Sequence, residues 1–383
     1  TDHDTQENIN SFEQTMAAYP AEPIEDELLG SSMLYSSGTT GRPKGILRPL
    51  EEVKPADVSP LFQFLLNLWR FREDMIYLSP APLYHSAPQA SVASTLRVGG
   101  TAIIMERFDP QEYLQLVAQY KVTHSQLVPT MFSRMLKLPQ EIRDAADLSS
   151  LEAVVHAAAP CPVQVKEAMI EWWGPIIHEY YGATEALGFA ALDSHEWLQN
   201  KGSVGKVVLG ELHILDEDGN PAPEGEPGEL WFKRAAEFTY FNNAEKTQES
   251  TSKDGSMSTV GDGGYLKDGY LYLTDRSTFM IISGGVNIYP QELENLLASH
   301  EKIADVAVIG VPNKEFGEEV KAIVEPVNWH DANTDPANEI LGWLKNRISP
   351  VKMPRSLDFH PKLPRMDNGK LYKQQLIEDN KQP

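Results

Sequence analysis

Cysteine is nearly absent from this chain: Cys161 is the one thiol among 383 residues. A single thiol excludes an internal disulfide framework and a thiolate zinc site, and it fits a reducing compartment. Basic residues are in deficit, with 33 Lys+Arg against 55 Asp+Glu and a formal charge of −22. So acidic a surface repels phosphate backbones and anionic lipid, which argues against nucleic acid or a membrane surface as the partner. It leaves room for a small basic pocket around an anionic ligand. Long apolar runs are also missing. The longest, residues 61–69, is interrupted by Gln63 and Asn67 and falls well short of the roughly 18 residues a membrane span needs. The 10 histidines include no H-E-x-x-H spacing, and no G-x-S-x-G elbow supports a hydrolase triad. The first ten residues, TDHDTQENIN, are polar and acidic, unlike a signal peptide. They start without methionine, so the natural start is expected upstream, and a cytoplasmic location is the expectation.

Hydrophobic residues make up 41% of the chain and charged ones 23%, an ordinary globular composition that excludes disorder as its main description. The length allows two or three domains. Residues 1–30, with Pro20 and Pro23, read as a loose lead-in. Short β-rich runs at 75–79, 101–105, 124–128, 151–156 and 176–180 then alternate with helical candidates at 85–97, 109–120, 130–137 and 162–173. Such alternation predicts a large α/β domain with a largely parallel sheet. From about residue 203, short strands separated by DG, GN and PG turns predict an antiparallel, barrel-like piece. Beyond 275 the pattern predicts a small α+β domain. It has strands at 279–283, 304–311 and 319–324, helices at 290–300 and 336–348, and a final Lys/Pro-rich loop. The expected division is 1–275 and 276–383, with the boundary near 275–278.

Residues 35–45, YSSGTTGRPKG, carry three glycines, four small hydroxyl residues and one lysine directly after the apolar pair Met33-Leu34. Glycine lets backbone N–H groups converge on an anion, hydroxyls add donors, and the lysine adds positive charge. This is a phosphate-cradling loop by chemistry, and it is not the Walker form, because no Ser or Thr follows Lys44. Four more stretches carry reactive groups: Tyr181-Gly182-Ala183-Thr184-Glu185 after a strand, Ser258-Thr259-Val260-Gly261-Asp262, the run from Asp275 to Pro290, and Pro364-Arg365-Met366-Asp367-Asn368-Gly369-Lys370. Taken singly, each reads equally well as a turn, a solvated carboxylate or a surface lysine.

Together, and in this order, they resemble the motifs of the adenylate-forming superfamily, which includes acyl-CoA synthetases, coumarate- and luciferase-type enzymes, and peptide-synthetase adenylation domains. The resemblance runs from about Leu34 to Lys373. It implies that Ser36, Ser37, Gly38, Thr39, Thr40, Gly41 and Lys44 hold the nucleotide phosphates. It implies that Tyr181 packs on adenine, that Gly182 beside it binds the nucleotide, that Thr184 touches the α-phosphate, and that Glu185 holds Mg²⁺, a hard cation that takes carboxylate oxygen. Residues 157–160, AAAP, occupy the place of a glycine-containing segment that lines adenine. Ala158 stands there although alanine does not take φ > 0 readily. Asp262 would accept hydrogen bonds from the ribose hydroxyls, and Arg276 would contact ribose or phosphate. Gly284 and Gly285 would lie against a pantetheine tunnel. Lys370 would reach the carboxylate and phosphate during adenylation. Residues 82–85, PLYH, resemble an aromatic–His segment near the acyl pocket, where His85 would line or gate it.

The sequence also departs from the family pattern. Val260 interrupts the Thr–Gly junction. Thr278 and Phe279 stand where relatives carry charged pivot residues, and Val286 where they often carry Glu. Relatives carry roughly a hundred or more residues, about a small domain, before the phosphate loop, and here 34 precede it. Part of the large domain is therefore expected to lie outside this chain.

The activity implied is an ATP-dependent carboxylic acid–CoA ligase. It would use ATP/AMP, Mg²⁺ and coenzyme A, pass through an acyl-adenylate, and rotate its small domain between the two half-reactions. The resemblance also leaves a homodimer open. No carrier domain follows residue 373, which favours a free thiol as acceptor. The apolar stretches 157–160 and 183–189 suit an aliphatic or aromatic acid. Two alternatives stand beside this: an adenylating enzyme with a carrier protein or other acceptor, and a non-catalytic module that binds nucleotide or acyl-adenylate.

Overall fold

A computed structural model describes residues 11–36, 44–50, 52–57, 60–233, 237–274, 279–284, 286–328, 336–345, 347–365 and 371–380. Among these residues the chain forms four sheets. The largest has seven strands, in the spatial order Thr101–Ile104, Ile76–Ser79, His124–Leu127, Ala153–His156, Ile177–Gly182, Phe189–Leu192 and Lys206–Leu209. Neighbours are parallel as far as Ile177–Gly182, and the last two strands join antiparallel. His124–Leu127 and Ala153–His156 are buried at every position, as expected of central strands covered on both faces.

The helices that cover this sheet start and stop where local chemistry dictates. Helix Pro110–Tyr120 opens on Asp109, whose carboxylate accepts from the N–H groups of Gln111 and Glu112 at 3.0 and 2.9 Å. Proline follows at the first helical position, where its missing N–H costs nothing. The helix ends on Lys121 in a left-handed conformation, φ 53°. Its buried face, Tyr113, Leu114 and Val117, packs with Phe132 and Met135 from helix Pro129–Leu136 and with Met169 and Trp173 from helix Val163–Trp173. Beneath them lie Leu78, Leu127, Val154 and Ile177 of the sheet. Truncating a residue as buried as Phe132 to alanine costs about 3–5 kcal/mol in such cores.

A second, antiparallel sheet contains Glu211–Leu215, Gly228–Lys233, Gly263–Lys267 and Tyr270–Thr274, with Met257–Ser258 paired to Gly228–Lys233. A third, of three short strands, joins Leu34–Ser36, Lys44–Leu47 and Thr239–Tyr240. The residues from Ile281 onward form the fourth sheet, with Ser356–Phe359 added parallel to Gly317–Pro326. This part has its own apolar core, including Ile288, Leu293, Leu297, Val308, Val324 and Leu344. Lys137, at the end of helix Pro129–Leu136, reaches across to it and donates to the carbonyls of Ala304 and Ile303 at 3.2 and 3.4 Å.

Three elements go beyond the sequence expectation. The lead-in holds a short helix, Phe12–Ala17, capped by Ser11. The interrupted apolar run is helix Pro60–Trp69, because Gln63 and Asn67 sit four apart on one polar face and hydrogen-bond each other. The final Lys/Pro-rich segment contains strand Ser356–Phe359 and helix Lys373–Asp379. Lys373 there is buried against Glu294 at 2.8 Å and Leu376 packs with Ala307, Ile309 and Ile323, so a polar-looking sequence docks through an ion pair and one apolar anchor. The expected boundary, 275–278, lies outside the described residues. Among the described residues, no helix is long and apolar enough to cross a membrane.

Candidate active site

A cleft of about 3110 Å³ opens at the carboxyl end of the parallel strands, where α/β sheets place ligands. Strand Ile177–Gly182 delivers the Tyr181–Glu185 motif to it. After Gly182 the chain turns sharply: the N–H of Ala186 bonds to the carbonyl of Ala183 at 2.9 Å, and Ala186 sits at φ 56°. The turn presents Thr184 and Glu185 to the cleft.

Tyr181 and Asp262 meet directly, with the phenol donating to Asp262 Oδ2 at 2.8 Å. The ring of Tyr181 also lies 6.4 Å from that of Phe232, nearly parallel. Gly188 makes this possible, since a Cβ there would fall 2.1 Å from the Phe232 ring. The Ser258–Asp262 stretch is a built turn. Thr259 Oγ1 donates to Glu229 and accepts from the N–H of Gly261, each at 2.9 Å, and Gly261 takes φ 79°. Val260 is accommodated as part of this turn, and Asp262 still faces Tyr181.

Glu185 is 6% exposed. Tyr240 holds its carboxylate through a phenol hydrogen bond of 2.8 Å. Lys44 lies 5.6 Å from the centre of the Tyr240 ring. Arg48 donates to the carbonyl of Thr184. Burial pushes its guanidinium below the ordinary range, and the nearby charge of Glu185 opposes that shift. Strand pairing explains the convergence: Tyr240 is in register with Ile46, between Lys44 and Arg48. Two cations, one buried carboxylate and a phenol thus surround the Thr184 turn, which is the chemistry needed to hold a polyphosphate and its cation. Among the described residues, no group of three or more His, Cys, Asp or Glu could cage a metal. Mg²⁺ fits Glu185 on different grounds, since it commonly binds through one or two carboxylates plus substrate phosphates and water.

Ala158 lines the cleft and adopts φ 75°, so the alanine occupies the left-handed conformation that the sequence reading expected it to resist. His85 also lines the cleft, its ring 4.3 Å from that of Tyr84. Gly284 turns at φ 58° beneath Phe316 in the C-terminal part and is not among the cleft-lining residues. The backbone of Ser36 ends strand Leu34–Ser36. Ser37, Gly38, Thr39, Thr40, Gly41, Arg276, Thr278, Gly285 and Lys370 lie outside the described residues. Arg365, five residues before Lys370, is held by Asp305 through two hydrogen bonds, one of 2.6 Å. Burial alone would lower its pKa, but the Asp305 carboxylate raises it.

The sequence reading missed Tyr240, Arg48, Glu229 and Phe232. Arg48 was findable, since it lies four residues beyond Lys44 on the same short run. Tyr240 had no motif to announce it and reaches the site through strand pairing.

The sequence profile of the AMP-binding enzyme family matches residues 3–239, and that of the AMP-binding enzyme C-terminal domain matches residues 292–370. The medium/long-chain-fatty-acid–CoA ligase FadD8 of Mycobacterium tuberculosis is 31% identical over 92% of this chain and 62% of its own length. A feruloyl-CoA synthase of an Amycolatopsis species is 35% identical over 89% of this chain and 68% of its own. The solved o-succinylbenzoate CoA synthetase MenE of Bacillus subtilis, in complex with its acyl-adenylate intermediate, superposes with a TM-score of 0.77 at 27% identity, covering 95% of this chain and 73% of that one. The chain therefore spans between 62 and 73% of the length of these relatives. It belongs to the AMP-binding, adenylate-forming enzyme family.

Proposed function

We propose that the chain carries the nucleotide site of an ATP-dependent carboxylic acid–CoA ligase that works through an acyl-adenylate. The observation that carries this is the convergence of Glu185, Tyr240, Lys44 and Arg48 around the Thr184 turn, beside the Tyr181–Asp262 pair. Asp262 accepts from the ribose hydroxyls, Tyr181 packs on adenine, and Lys44 with the loop 36–41 holds phosphate oxygens. Magnesium bound at Glu185 would offset the charge of the phosphates. The acid's carboxylate oxygen attacks the α-phosphorus, the bond to the β-phosphate bridging oxygen breaks, and pyrophosphate leaves with that electron pair. Catalysis of this kind is mainly positioning and electrostatic stabilisation. The thiol of coenzyme A then attacks the acyl carbonyl and AMP departs.

The division at 275/276 and a rotation about residues near Thr278 belong to the same proposal, as do the roles of Arg276, Gly284, Gly285 and Lys370. Relatives named for fatty and aromatic acids both support an acid substrate without choosing between them. The experiment is Lys370→Ala with the half-reactions assayed separately. Pyrophosphate release should fall far more than thioester formation from supplied acyl-adenylate. Equal losses in both would remove Lys370 from the adenylation step. A second reading is a module that binds nucleotide without turnover. ATP raising the melting temperature with no pyrophosphate from any acid would establish it.

A further inference from the structure

Strand Ile177–Gly182 has two faces, and successive residues point to opposite ones. Tyr181 turns toward Asp262 and Phe232. Tyr180 turns the other way, into an aromatic cluster. Its ring stacks on Phe189 at 4.7 Å and 12° and lies 5.3 Å from Trp69. Phe64 meets Phe189 edge-on at 6.0 Å. The phenol is fixed as well: Gln126 donates to Tyr180 Oη at 2.9 Å, and Ser91 donates to Gln126 at 2.8 Å. Burial pushes the Tyr180 phenol up to about 12, so it stays neutral. All of these residues line the same cleft as Thr184, Glu185 and Asp262. Gly182 follows on the Tyr180 face, where a Cβ would come within 3.1 Å of the Phe189 ring. The strand therefore carries the aromatic cluster on one face and Tyr181 on the other as it leads to Thr184.

We propose that Trp69, Tyr180 and Phe189 form the acyl chamber of this site, and that Tyr180 caps it so that the acid is a compact aromatic one rather than a long aliphatic chain. The proposal rests on the ligase reading for its placement of the carboxylate. Its physical basis is twofold. Planar rings pack favourably against stacked and edge-on aromatic walls. A long chain would have to displace a ring that is both stacked and hydrogen-bonded at its tip, and packed sites of this kind do not deform continuously.

The test compares cinnamate with hexadecanoate as acids for pyrophosphate release by the full chain, in the wild type, Tyr180→Gly, Tyr180→Leu and Tyr180→Phe. The wild type should favour cinnamate by at least about tenfold in kcat/KM, and Tyr180→Gly or Tyr180→Leu should remove most of that ratio while Tyr180→Phe keeps it. Equal use of both acids by the wild type, or an unchanged ratio in a folded Gly or Leu variant, would overturn it. Quenching of tryptophan fluorescence by each acid alone, with Trp69→Phe as the reference, separates this from failure of the ligase reading. Saturable quenching by cinnamate that requires Trp69 and exceeds that by hexadecanoate supports the chamber even where no acid is turned over. Absent or equal quenching counts against it.

Discussion

Tyr181 and Asp262, 81 positions apart in sequence, are joined by a phenol–carboxylate hydrogen bond of 2.8 Å. The bond ties the last parallel strand to the turn between strands Met257–Ser258 and Gly263–Lys267 of the antiparallel sheet. It fixes an aromatic ring and a carboxylate on one side of the cleft, where the proposed function puts adenine and ribose. Tyr181→Phe removes the bond and keeps the ring. The apparent affinity for ATP should fall roughly five- to tenfold, the net value of one ordinary hydrogen bond of about 1 kcal/mol. Calorimetric titration with a non-hydrolysable ATP analogue measures it, and an unchanged affinity would detach Asp262 positioning from Tyr181.

Ala158 holds φ 75° at the lip of the cleft. A left-handed conformation costs an L-residue about 1–2 kcal/mol, whereas glycine adopts it freely and gives back up to about 1 kcal/mol through the unfolded chain. Ala158→Gly should therefore stabilise the protein by a few tenths to about 1 kcal/mol. Thermal melting reads this directly, and a lower melting temperature would contradict the strain.

Much of the fold could be read from the sequence because the buried strands declare themselves. His124–Leu127 and Ala153–His156 are short β-rich runs flanked by amphipathic helices, and each appears within a residue or two of its expected place. The site was legible where it lay on contiguous motifs: Tyr181, Thr184, Glu185 and Asp262 all line the cleft. Tyr240 and Phe232 were not, since their relevance comes from strand register and ring packing between distant segments. Helix Lys373–Asp379 escaped notice for a related reason. It docks through the Lys373–Glu294 pair and a short apolar contact of Leu376 and Ile377, too few residues to make a hydrophobic stripe in the sequence.

Beneath the alanine segment, Lys166 and Glu179 form a buried ion pair at 2.5 Å, with Lys166 fully inaccessible. Burial raises the Glu179 carboxyl, and Lys166 opposes the rise. Lys166→Met leaves the buried Glu179 carboxylate with only His156, 3.5 Å away, and should destabilise the chain by about 3–5 kcal/mol, while Lys166→Met with Glu179→Leu should recover most of that loss. Urea denaturation of the two variants decides. A double variant as unstable as the single one would mean that the pair stabilises the fold outright.

His124 is buried between Thr123 Oγ1 at 2.8 Å and the carbonyl of Trp69 at 3.1 Å. Burial pushes its imidazole down from 6.5 to about 4. Below about pH 6.5 the unfolded chain takes up a proton that the folded chain refuses, so stability is fully present above that pH and is lost as pH falls toward 4. The shift corresponds to roughly 3 kcal/mol. Burial lowers His156 and His178 in the same direction. Melting temperature should thus fall with acidification across this window, and His124→Gln should flatten part of the slope. An identical slope in the variant would assign the acid sensitivity to other groups.

The central claim is adenylation of a carboxylic acid at the Thr184–Glu185 turn. Pyrophosphate release with Mg·ATP, measured across short, long and aromatic acids with and without coenzyme A, tests it most directly. Release that requires an acid, is accelerated by coenzyme A and is lost in Glu185→Gln is the predicted result. No release with any acid, while ATP still raises the melting temperature, would contradict it and leave a nucleotide-binding chain without ligase activity.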